Sequence, residues 1–150
     1  MRTIFLILIF FFMFGQNYAY TDPKIIKKIS DTKSFAFDFE QFINDKKETG
    51  NCTILFDNKM ICKYDESGKI IVSNGKTLLI RNKNSSFANT YKTENTYFKY
   101  ILNKEFLISK IEGNVVEKEQ NFLLLINDQS NQLSIFFDKK NYLIKGWETI

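Results

Sequence analysis

Two cysteines, seventeen carboxylates and no histidine make up most of the reactive inventory of this 150-residue chain. Without histidine, a histidine-based triad, a histidine general base and a histidine-ligated metal site are all excluded. Cys52 and Cys62 are too few for a four-cysteine zinc site. Six glycines, never clustered, leave no phosphate-cradling loop. Carboxylates abound, but no spacing singles out the acid and base pair that a glycoside hydrolase needs. No enzyme, cofactor or metal is therefore expected. The one covalent reaction the spacing favours is a disulfide. "NCTILF" and "MICKY" form a hairpin around Asp57 and Asn58, which sets Cys52 opposite Cys62 on neighbouring strands, near bridging range. Two free buried thiols are the alternative.

A disulfide needs an oxidising compartment, and the N-terminus supplies a route to one. Arg2 gives a positive start, Ile4 to Phe14 are uninterruptedly apolar, and Gly15 to Ala19 are small or polar. That is the layout of a cleavable secretory signal peptide, with cleavage expected after Ala19 and Gly15 as the second choice. The apolar run falls short of the roughly 20 residues that cross a bilayer. No cysteine follows it, so the new N-terminus cannot be lipidated there. Residues 20–150 then form one exported domain, since so short a chain rarely builds two cores. Removing Arg2 leaves a net charge of about +3 from the +4 of the full chain. The lysines are scattered, which describes a solvated surface and not a nucleic-acid footprint.

The elements that must position any site follow from periodicity. "PKIIKKISDTK" places Ile25, Ile26 and Ile29 on one stripe of a short helix, with Pro23 in the first turn. "SFAFDFEQF" carries Phe35, Phe37 and Phe39 at strict period two, a half-buried strand. A polar turn "INDKKETG" leads to the cysteine hairpin, whose inner face takes Cys52, Ile54, Met60, Cys62 and Tyr64. In "IIVSNGKTLLIRN" the Asn74-Gly75 pair predicts a two-residue type I′ hairpin, pairing Val72 with Thr77, Ile71 with Leu78 and Ile70 with Leu79. Ile71, Leu78 and Ile80 then share a face. After a strand in "SFANTYKTE" the period turns helical. Phe98, Ile101, Leu102, Leu107 and Ile111 fit one or two short helices broken near Asn103 and Lys104. Strands return in "NVVEKE", "NFLLLIND", "LSIFFD" and "YLIKGWETI", with turns at Asp128-Gln129-Ser130 and Lys139-Lys140. The order is helix, about five strands, a helical insertion, then about four strands. Tight turns make this an antiparallel meander, and a sheet of that many strands curls around whatever helices cover it.

This order of segments resembles the outer-membrane lipoprotein carrier family, the periplasmic LolA-like proteins. "FEQF" at Phe39 to Phe42 is similar to the family's early Phe-x-Gln strand, and Gly50-Asn51-Cys52-Thr53-Ile54 to its Gly-x-apolar strand. Met60 to Tyr64 stand where an aromatic strand belongs. Val72-Ser73-Asn74-Gly75-Lys76-Thr77-Leu78-Leu79 is similar to the Val-Ser-Asp/Asn-Gly-Lys-x-Leu-Trp hairpin. Asn95-Thr96-Tyr97-Phe98 stands at the helix start, and "FDKKNYLIKGWETI" resembles the closing strand. The resemblance runs from about residue 24 to the end, and its specificity lies in order, spacing and export together. There are departures. Leu55-Phe56-Asp57 replaces a Lys-Arg-Pro whose arginine helps hold the lid, so any latch must differ. Tyr97 replaces a proline, and Cys62 a common tryptophan. Family members continue for at least one strand past the point where this chain stops at Ile150, which makes it either a short variant or incomplete.

The resemblance implies a mainly β fold with a few short α-helices, an unclosed antiparallel half-barrel under a helical lid. It implies a monomeric periplasmic carrier that takes acylated lipoproteins from an inner-membrane exporter to an outer-membrane acceptor. Each CH₂ of an acyl chain exposed to water is disfavoured by about 0.8 kcal/mol, so such a carrier needs a dry groove and no chemistry. Phe35, Phe37, Phe39, Ile54, Met60, Tyr64, Ile71, Leu78 and Ile80 would line the sheet side, with Phe98, Ile101 and Leu102 from the lid. A closed core of the same residues is the plain alternative. A binding or sensing module that holds lipids without shuttling them would use the same half-barrel. A secreted enzyme would instead need a polar cluster of perturbed groups in its cleft.

Overall fold

The computed structural model describes residues 23–43, 46–128 and 131–149. The expected leader, and residues 129 and 130 of the turn expected at Asp128-Gln129-Ser130, lie outside the described residues. Helix α1 (Pro23–Asp31) is followed by strands β1 (Ser34–Ile43), β2 (Lys46–Leu55), β3 (Lys59–Tyr64), β4 (Ile70–Asn74), β5 (Thr77–Arg81) and β6 (Asn89–Lys92). A 3-10 turn (Thr93–Asn95) leads to helices α2 (Phe98–Leu102) and α3 (Lys104–Ile111). Strands β7 (Val115–Glu117), β8 (Asn121–Asp128), β9 (Asn131–Asp138) and β10 (Ile144–Thr149) complete the fold. Every pairing is antiparallel, in two meanders: β1 to β6 in order, and β10-β9-β8-β7. Among the described residues neither sheet closes on itself; β1 and β6 are the edge strands of one and β10 and β7 of the other. This is the expected half-barrel architecture, split into two sheets.

Local physics accounts for the elements. In α1 the i, i+4 pair Ile25 and Ile29 is fully buried, while Lys27 and Asp31 pair at 2.7 Å on the wet side. The helix break falls at Asn103, whose extended backbone ends α2 and whose side chain accepts from Phe106 N at 2.9 Å to cap α3. One turn into α3, Leu107 and Ile111 are fully buried, as are Ile101 and Leu102 of α2. Lys104 Nζ donates to the carbonyls of Ser30 (3.0 Å) and Thr32 (2.7 Å), satisfying the C-terminal end of α1. One hydrophobic cluster joins all three helices to both sheets, through Ile54 on β2 and Leu124, Ile135 and Phe137 on β8 and β9.

Three expectations are corrected. Six strands, not about five, lie between α1 and α2. The segment "INDKKETG" is not a long polar turn. β1 and β2 pair out to Ile43 and Lys46, because a hairpin extends as far as its backbone groups find partners. The Asn74-Gly75 hairpin pairs Ser73 with Leu78, Val72 with Leu79, Ile71 with Ile80 and Ile70 with Arg81. Its turn is wider because the Asn74 side chain accepts from both Lys76 N (3.0 Å) and Thr77 N (2.8 Å), and Gly75 alone of the pair takes a positive φ, +96°. The pairing partners move by two residues along the strand, an even number. Ile71, Leu78 and Ile80 therefore keep their common face.

Candidate functional site

The inner face of the large sheet is built in rows that cross the strands. Phe35, Ile54, Met60, Ser73 and Leu78 form one row. Phe37, Cys52, Cys62, Ile71 and Ile80 form the next, and Phe39, Gly50 and Tyr64 a third. The disulfide joins Cys52 to Cys62 within its row, with Cα atoms 4.1 Å apart. Gly50 is what lets the third row pack. A Cβ there would meet the Lys63 carbonyl and lie 2.8 Å from the Phe39 ring. In its absence Phe39 leans across the strand onto Tyr64, edge to face, with ring centroids 4.8 Å apart.

A cleft of about 500 Å³ opens between the edge strands β1 and β10. Phe37, Phe39, Gln41 and Phe42 of β1 line one side, and residues 145–149 of β10 the other. Cys52, Cys62, Tyr64 and Ile71 form its floor, and Phe98 of α2 closes it above. Trp147 ties the three walls together. Its ring lies 6.0 Å from Phe37 and 5.9 Å from Phe98, edge-on to both. The tryptophan reaches this face through a bulge. Ile144 opposes Phe137 and Gly146 opposes Phe136, leaving Lys145 as an extra residue. Without it, strict alternation would turn Trp147 to the far side from Ile144.

The expected binding residues divide. Phe37, Phe39, Tyr64, Ile71 and Phe98 line the cleft. Phe35, Ile54, Met60, Leu78, Ile101 and Leu102 are buried in the cluster beneath it, and Ile80 is half-buried against that cluster. Sequence reasoning missed Trp147 and Gln41 as lining residues; it expected the Cys52–Cys62 disulfide on the inner face but not as part of the cleft floor. Gln41 continues the period of Phe35, Phe37 and Phe39, and that alternation could have found it. The bulge that aims Trp147 has no such signature.

Polar groups gather at one end of the cleft. The Tyr64 hydroxyl donates to Gln41 Oε1 at 2.7 Å. Lys69 Nζ sits 3.7 Å from the Tyr64 ring centroid and pairs with Glu48 at 2.7 Å. Burial pushes the Tyr64 phenol up to about 12, and the Glu48 carboxylate adds to the effect. The hydrogen bond from Lys69 holds Glu48 below the usual carboxylate range. The rim carries Asp38, Glu40 and Glu148 against Lys145. No family-type arginine latch stands at residues 55–57. The turn between β2 and β3 reaches the helices through its backbone, Asn58 N donating to Leu102 O at 3.1 Å.

Two open antiparallel sheets, a cleft with an aromatic interior and a charged rim between β1 and β10, and a helix across the top make up an unclosed half-barrel with a ligand-sized opening. The family model described as "Outer membrane lipoprotein carrier protein LolA" matches residues 30–150, and the chain belongs to that family. A comparison with curated proteins finds no match.

Proposed function

We propose that this protein is an exported periplasmic carrier that holds the acyl chains of lipoproteins in the cleft between β1 and β10 and moves them from the inner to the outer membrane. The observation that carries the reading is the cleft itself, where Phe37, Phe98 and Trp147 meet at the seam between two sheets. Family membership supports the cargo class. In this reading residues 1–19 are removed on export, residues 20–150 act as one domain, and the disulfide belongs to the oxidising compartment. The work done is binding and release, without covalent catalysis. An inner-membrane exporter would load the cleft and an outer-membrane acceptor would empty it.

Trp147 is the only tryptophan in the chain and lines the site, so it reports directly. Titration with an acylated peptide should shift its emission to the blue and saturate, while the same peptide without its acyl chain does nothing. Identical responses to both peptides would sink the proposal. Transfer is tested separately, by whether loaded protein hands the acylated peptide to outer-membrane vesicles. Binding without hand-over would leave a holding or sensing module.

A further inference from the structure

The cleft contains one polar arrangement that an alkyl chain alone does not explain. Gln41 follows Phe37 and Phe39 on the inner side of β1, deep enough to be half-buried. Its carbonyl oxygen is taken by the Tyr64 hydroxyl at 2.7 Å. Tyr64 is itself held by the Phe39 ring at 4.8 Å and by Lys69 over its face at 3.7 Å. A phenol fixed on these sides fixes the Gln41 amide, oxygen toward Tyr64 and nitrogen away from it. Among the described residues no acceptor takes the two Nε2 hydrogens, and Gln41 lines the cleft.

An empty cleft lets water satisfy these donors. A chain that fills the cleft displaces the water, and unpaired N–H groups then oppose binding unless the ligand brings an acceptor. We infer that Gln41 Nε2 donates to the carbonyl oxygen at the head of an acyl chain, so that this end of the cleft selects a neutral ester or amide carbonyl. Tyr64 is the positioning residue. On the rim Glu40 is already paired with Lys47 at 2.7 Å, and Lys145 stands among the carboxylates. Among the described residues Asp38 and Glu148 together outnumber the one unpaired rim cation and weigh against a free carboxylate at the same place. This rests on the carrier reading and adds a polarity and a direction to it: carbonyl at the Gln41 end, methylenes along Phe37 toward Trp147 and Phe98.

Three probes of equal chain length test it: a long-chain acyl methyl ester, the N-methyl amide and the alkyl methyl ether, which lacks a carbonyl. Affinities come from Trp147 fluorescence or from displacement of a hydrophobic dye. Wild type should bind the ester and amide roughly 2- to 12-fold tighter than the ether, the range expected for one net hydrogen bond. The two carbonyl probes separate glyceryl esters from N-acyl amides as the source. Gln41→Leu, which removes the donors, should bring the ratio to about 1, and Tyr64→Phe should lower it; the ratio is read within each variant, so a general gain or loss of affinity does not enter. Gln41→Glu, which offers no donor at neutral pH, should turn the preference toward the ether, and it decides the matter if Gln41→Leu does not fold. Equal binding of all three probes by wild type, or a ratio unchanged in the Gln41 variants, overturns the inference and leaves the carrier reading standing. No binding of any probe by folded wild type overturns both.

Discussion

Replacing Phe37 and Leu102 by alanine, one at a time, should separate cleft from core. Leu102 is fully buried between the helices and the sheet. Its truncation leaves a cavity, and such changes cost about 2–5 kcal/mol. At about 4 °C per kcal/mol for a chain of this size, the melting temperature should fall by roughly 8–20 °C. Phe37 is half-buried and packs its ring against Phe35 at 5.7 Å and Trp147 at 6.0 Å. A fully buried phenylalanine costs about 3–5 kcal/mol to truncate, so this one should cost about 2. Binding should order the other way. A ring lying along an acyl chain covers two or three methylenes at about 0.8 kcal/mol each, so Phe37→Ala should weaken binding roughly 15- to 50-fold. Leu102→Ala, measured well below its melting temperature, should change affinity less than about 3-fold, because it does not line the cleft. Thermal melts and acyl-peptide titrations on the same samples give both numbers. If both variants lose binding in proportion to stability, the cleft is an extension of the core and the reasoning fails.

Reducing the Cys52–Cys62 bridge, or replacing both cysteines by alanine, should destabilise the protein by about 2–3 kcal/mol from loop entropy alone, seen as a lower urea midpoint. Gly50→Ala should push Phe39 off Tyr64 and strain β3, a loss of about 2–4 kcal/mol, and an unchanged midpoint would mean that the row packs differently. With its folded pKa raised from 10.0 to about 12, Tyr64 keeps its proton while an unfolded tyrosine loses one. Its contribution to stability is whole below pH 10 and lost as the pH rises toward 12, so wild type should lose more stability over that window than Tyr64→Phe. Lys69→Met should bring the Glu48 carboxylate back up toward its ordinary range, measurable by carboxyl NMR titration.

Much of this molecule is legible along the chain because period and local bonding are short-range properties. Phe35, Phe37 and Phe39 alternate with polar residues, so their shared face follows from strand geometry before any partner is known. The two cysteines sit symmetrically about Asp57, so the hairpin alone sets them opposite. Asn103 stops one helix and caps the next with groups inside the same turn. Even the misplaced register of the Asn74-Gly75 hairpin spared the inner face, since a side chain that widens the turn by two residues cannot change parity.

Depth and direction needed the whole fold. Phe98 and Leu102 share the apolar stripe around α2, yet one lines the cleft and the other is sealed in the core, according to what packs above each. Trp147 belongs to the site because one extra residue, Lys145, turns the strand over, and a bulge is decided by pairing with β9. The cleft exists because β1 and β10, more than a hundred residues apart in the chain, are left as facing edges of two separate sheets. A residue's face is fixed by its neighbours in sequence; what that face meets is settled only when distant strands arrive.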